Sequence, residues 1–104
     1  MPTIRHAVYF TLKNRDSAED AAALVAGLKE MAAIEMVREL VVGQRADTEE
    51  RGVVATDYDV TEMMTFDSLA DQDAYQVHPM HKAFIEKCGH LWSKVQVFDT
   101  VDLD

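Results

Sequence analysis

Residues 3–13, TIRHAVYFTLK, alternate: Ile4, His6, Val8, Phe10 and Leu12 share one face, and Arg5, Ala7, Tyr9 and Thr11 the other. A period of two marks a half-buried strand. After Ser17 the period changes. Ala21, Leu24, Val25, Leu28, Met31 and Ala32 recur at helical spacing, which predicts an amphipathic helix over 18–33. Ser17 stands as its N-cap, with Asp20 three residues on in a capping-box pattern. EMVRELVVG (35–43) is β-rich and closes on a glycine, a second strand. QRADTEERGVVATD is polar and aperiodic, and residues 45–56 are expected to form a mobile loop near a pocket mouth. DYDVTEMMTF (57–66) predicts a third strand. Ser68 with Asp71 then opens a second capped helix, SLADQDAYQV. Pro79 disfavours helical geometry at His78, so that helix should break and restart as PMHKAFIEKCGHLW. SKVQVFDTV (93–101) reads as the last strand.

The order β-α-β-β-α-β predicts an α+β, ferredoxin-like fold: a four-stranded antiparallel sheet with helices on one face. The 104 residues suit one domain, 1–104. No helix remains for the other sheet face, where Tyr9, Met63 and Phe98 should point. A large apolar face without cover predicts a sheet-to-sheet homodimer.

Charge narrows the function classes. The net charge is −9, and no run of Lys or Arg exceeds one residue. Nucleic-acid binding needs a basic stripe to displace counterions, so it is not expected. Anionic membrane surfaces are disfavoured on the same ground. No apolar run nears the roughly 18 residues of a membrane span. The alternating first residues lack a signal-peptide layout, so the expected location is cytoplasmic. With Cys88 as the one cysteine, no intrachain disulfide forms.

YQVHPMHKAF (75–84) concentrates titratable groups inside a helical, apolar stretch. His81, Phe84, Ile85 and Cys88 stand at i, i+3, i+4 and i+7, on the stripe that should face the sheet. His6 shares its strand face with Val8 and Phe10. Tyr75 ends the preceding helix about a turn before His78. Tyr75, His81 and His6 should therefore converge between sheet and helices. Each also has a plain structural reading: a hydrogen-bonded core histidine, or a core tyrosine with its hydroxyl at the surface. His78 reads as a helix cap, His90 as a cation at a helix end, and Cys88 as a small buried hydrophobe. His78-x-x-His81 has half the spacing of a zinc site, but Pro79 interrupts it and no further ligands complete it; no metal is expected. Glycine-rich phosphate loops and nucleophile motifs are missing, so covalent catalysis and nucleotide binding lack support.

IRHAVYFTLK, AYQVHPMHKAF and LWSKVQVFDTV, in that order along the chain, resemble the stress-responsive A/B barrel domain family. The Tyr-x-x-His-Pro-x-His block is the most specific element. The resemblance implies a ferredoxin-like protomer in a homodimeric α+β barrel. Olivetolic acid cyclase-like members of the family close a linear polyketide by aldol condensation. By position, that chemistry implies Tyr75, His81 and His6 as the catalytic set. Val8, Phe10, Phe84 and Cys88 would contact a small apolar ligand.

Two function classes follow. In one, the protein is a homodimeric small-molecule-binding module, its pocket holding an apolar carbonyl compound. In the other it is a cofactor-free enzyme. His81, whose class of side chain titrates near neutral pH, would remove a proton next to a carbonyl. Tyr75 would donate to the developing enolate oxygen, and His6 would orient substrate or the His81 tautomer. A cofactor-free monooxygenase is a variant suggested by fold analogy alone. None of these needs a cofactor.

Overall fold

The computed structural model describes residues 2–103. β1 (Ile4–Leu12) leads into α1 (Ala18–Glu30), which tightens into a 3-10 turn at Met31–Ala33 before β2 (Glu39–Gln44). β3 (Val60–Phe66) follows a long loop; α2 (Leu69–Gln76) and α3 (Pro79–Cys88) come next. A second 3-10 turn, Gly89–Leu91, delivers β4 (Trp92–Val101). The strands run in the order β2-β3-β1-β4, every neighbouring pair antiparallel. This is the ferredoxin-like topology that the alternation and helical periods predict.

Local chemistry explains the boundaries. Ser17 Oγ accepts from the Asp20 amide, and Ser68 Oγ from the Asp71 amide, as the two capping patterns require. His78 is extended, with ψ 137°, and Pro79 opens α3 at its first position. The His78 ring caps the new helix by accepting from the Met80 amide at 3.1 Å.

The helices cover one face of the sheet. Val8, Phe10 and Leu12 of β1 and Val60, Met64 and Phe66 of β3 meet Leu24, Leu28 and Met31 from the α1 side and Phe84 from α3. At Gly27 the α1 backbone comes so close to α3 that an added Cβ would lie 2.6 Å from Cys88 Sγ. β4 lies at the edge of this cover. Val95 and Val97 sit opposite Phe10 and Val8 on the helix side, yet both are exposed. Val41, Met63 and Phe98 are also exposed, on the opposite face, which no helix covers.

The 45–56 segment borders a pocket on the helix-free face through Val54 and Ala55. It leads to Ala55, Asp57 and Tyr58, which lie beside Tyr9 and Phe98 on the helix-free face. The Tyr58 ring meets Tyr9 edge-on at 5.0 Å. Lys94 Nζ pairs with Asp57 at 2.7 Å, and Arg15 with Asp59 at 3.2 Å. The chain returns to β3 under that face because Tyr58 finds its aromatic partner there. The loop is thus not the mouth of the cavity that His81 lines.

Candidate functional site

A cavity of about 200 Å³ lies between the sheet and the two short helices. Its apolar walls are Val8 and Phe10 of β1, Phe84 and Ile85 of α3, and Trp92, Val95 and Val97 of β4. Its polar walls are His6, Glu62, Tyr75, Gln76 and His81. The strand alternation brings His6 inward with Val8, and the break at His78 brings Tyr75 and His81 together from two helical segments. Their ring centroids are 4.4 Å apart. Tyr75 also meets the His6 ring edge-on at 5.8 Å.

His81 is half-buried, and its Nδ1 lies 3.1 Å from the Gln76 carbonyl oxygen. A carbonyl only accepts, so Nδ1 carries the proton and Nε2 is left with its lone pair. Burial, and then the neighbouring His6 and His78, hold the His81 pKa below the usual histidine value, against the opposing pull of the Gln76 carbonyl. At neutral pH His81 is a neutral imidazole with a basic Nε2.

His6 is buried at the centre of a polar chain. Its Nδ1 lies 2.6 Å from Asp99 Oδ1, directly across the β1–β4 pairing. Gln72 Nε2 donates to the same Asp99 oxygen at 2.9 Å. A carboxylate only accepts, so the His6 proton on this side sits on Nδ1. The 3.2 Å approach of Gln72 Nε2 to that nitrogen is then a packing contact, since two donors face each other. On the far side, His6 Nε2 lies 3.9 Å from Glu62 Oε1, beyond hydrogen-bond range.

Glu62, Gln72 and Asp99 are the polar partners that motif reading does not find. Glu62 had a signal. Val60, Glu62, Met64 and Phe66 alternate onto the inward face of a central strand, and a carboxylate in that series is anomalous. Glu62 is 2% exposed, and among the described residues its Oε2 finds no hydrogen-bond partner. Burial pushes its pKa up to about 7. Asp99 had no such signal, because only the β1–β4 register sets it against His6.

Tyr75 is fully buried, and its hydroxyl donates to Met31 Sδ at 3.8 Å. Burial, with the Glu62 charge second, keeps the phenol well above its ordinary pKa and hence neutral. The hydroxyl is therefore neither at the surface nor paired with a histidine. Val8, Phe10 and Phe84 line the cavity. Cys88 is buried against Gly27 in the α1–α3 contact, outside the cavity walls, where burial raises its thiol pKa. Its helical phase turns it inward, but toward α1. His78 caps α3 and is not a cavity wall.

The profile of the stress responsive A/B barrel domain matches residues 4–102. The chain belongs to this family. A family member with a ferredoxin-like fold from Mesorhizobium loti superposes with a TM-score of 0.82, at 26% identity over 100% of both chains. A hydroxynitrile lyase from Passiflora edulis gives a TM-score of 0.81 at 19% identity, over 98% of this chain and 94% of that one. A dimeric ferredoxin-like protein of unknown function from Thermobifida fusca gives 0.76 at 21% identity, over 96% and 91%. At the identities of the last two, the likeness shows the fold. No curated protein matches the chain in sequence. Among the described residues, no helix of this A/B barrel domain is long and apolar enough to cross a membrane.

Proposed function

We propose that this stress responsive A/B barrel protein binds a small, largely apolar carbonyl compound in the cavity. His81 removes a proton from the carbon next to the carbonyl. The observation that carries this reading is the Gln76 carbonyl on His81 Nδ1, which leaves Nε2 as an acceptor on a cavity wall. His81 is half-buried, and among the described residues only its Nδ1 has a hydrogen-bond partner. Val8, Phe10 and Phe84 surround the apolar body of the substrate. His6, its tautomer held by Asp99, and Tyr75 position it. Where the ligand carries a second carbonyl, the carbanion formed at His81 would close a ring, which is the aldol chemistry of cyclase-like relatives.

The protein works as a homodimer in this reading. Tyr9, Met63 and Phe98 form an apolar sheet face without a covering helix, and the Thermobifida fusca relative is described as dimeric.

The test uses 1-phenyl-2-propanone in D2O, with exchange of its α-protons followed by NMR. Wild type accelerates exchange above the level given by an equal concentration of free imidazole, and His81→Ala does not. Equal rates for wild type and His81→Ala would reject the assignment of the base.

A further inference from the structure

We infer that Glu62 supplies the acid side of this reaction: its carboxyl hydrogen-bonds the substrate carbonyl oxygen and protonates it as His81 takes the carbon-bound proton. This inference rests on the proton-abstraction reading above.

Three observations lead to Glu62. It lines the same cavity as His81. It is 2% exposed in the middle of a central strand, where an unpartnered carboxyl oxygen is costly unless a ligand meets it. Its Oε2 has no hydrogen-bond partner among the described residues. The other inward hydrogen-bond donors are already engaged. Tyr75 donates to Met31 Sδ, His6 Nδ1 donates to Asp99, and the Gln72 amide donates to the same carboxylate. Glu62 is the carboxyl left over for a ligand.

The groups facing Glu62 favour the protonated acid. From β1 comes His6, whose Nε2 stands 3.9 Å from Oε1, with Asp99 of β4 on the far side of that ring. From β2 the paired residue is Val42, which is apolar. Tyr75 of α2 is neutral, and His81 of α3 is neutral at working pH. Among the described residues no fixed cation contacts the carboxyl, so burial dominates and holds its pKa near 7.

The step balances without an added reagent. The α-carbon–hydrogen bond breaks and its proton goes to His81 Nε2. The bonding pair forms the carbon–carbon double bond of the enol, and the carbonyl π pair takes the proton from the Glu62 carboxyl. His81 is left as imidazolium and Glu62 as carboxylate. Reversal returns both protons. In D2O the imidazolium exchanges with solvent, so the carbon receives deuterium.

Exchange of 1-phenyl-2-propanone is measured across pH for wild type, Glu62→Leu, Glu62→Gln and His81→Ala. The wild-type rate rises through the lowered His81 pKa and falls through about pH 7 as Glu62 ionises. Glu62→Leu falls by about 10²-fold or more, the usual contribution of a positioned acid. Glu62→Gln keeps a hydrogen-bond donor, so it retains part of the rate and loses the alkaline limb. A Glu62→Leu enzyme that exchanges as fast as wild type while His81→Ala is inactive would overturn the role of Glu62 and leave the base intact. No exchange by wild type would remove the proton-abstraction reading and this inference together. Carbon-13 NMR of labelled glutamate gives a readout independent of turnover. A Glu62 carboxyl that titrates in the ordinary glutamate range would also overturn the proposal.

Discussion

The Gln76 carbonyl oxygen accepts from His81 Nδ1 at 3.1 Å across the break between α2 and α3. Gln76 is the last residue of α2, and His81 lies in the first turn of α3. Pro79 creates the break, and the break sets the tautomer. His81 Nε2 is the group left for chemistry.

That bond is exposed, and the ring is half-buried. His81→Ala should therefore cost less than about 1 kcal/mol of stability. Thermal melts would show a small shift beside a complete loss of α-proton exchange. A drop of several kcal/mol would move His81 to a structural role.

Glu62 should make stability depend on pH. Its folded pKa of about 7 stands above the ordinary glutamate value of 4.5. The folded state then holds the proton more tightly than the unfolded state. The favourable contribution is complete below about pH 4.5 and is lost as pH rises through about 7. The span is at most ~3 kcal/mol. Urea titrations at several pH values should show this decline in wild type, and Glu62→Gln should remove it and be the more stable protein above pH 7.

Asp99 should matter to the fold although it is itself half exposed. Asp99→Ala removes the acceptor that holds the proton on the buried His6 Nδ1, so the ring must shift that proton to Nε2 before Nδ1 can accept from the Gln72 amide. The expected cost is ~1–3 kcal/mol in chemical denaturation. Asp99→Asn retains an acceptor oxygen and should recover part of it.

Gly27 marks a close approach of α1 to α3. Gly27→Ala places a Cβ 2.6 Å from Cys88 Sγ and should cost ~1–3 kcal/mol through overpacking. Removing the sulfur should relieve it, so Cys88→Ala should be less damaging in the Gly27→Ala background than alone. Additive losses in that double-mutant cycle would show that the clash relaxes elsewhere.

Light scattering at micromolar concentration should find a dimer, and Phe98→Lys should give a folded monomer. The exposed Phe98 and Met63 on the helix-free face motivate this outcome. A wild-type monomer would leave that face without its proposed cover.

Periodicity and capping determined most of the architecture from sequence alone, because they act between near neighbours. The β1 alternation put His6, Val8 and Phe10 on the core side. Ser17, Ser68 and Pro79 set where helices start, since each acts on backbone groups within three residues. The inward series Val60, Glu62, Met64 and Phe66 was also written in the chain. Tertiary structure decided what those residues meet. Asp99 reaches His6 only through the register of β1 with β4, 93 residues apart in sequence. Helical phase turned Cys88 inward, but the close approach of α1 at Gly27 placed it outside the cavity. The long polar loop fell on the helix-free face because Tyr58 packs on Tyr9 there. The raised pKa of Glu62 is likewise a tertiary property, because desolvation depends on everything that surrounds a carboxyl and not on its neighbours along the chain.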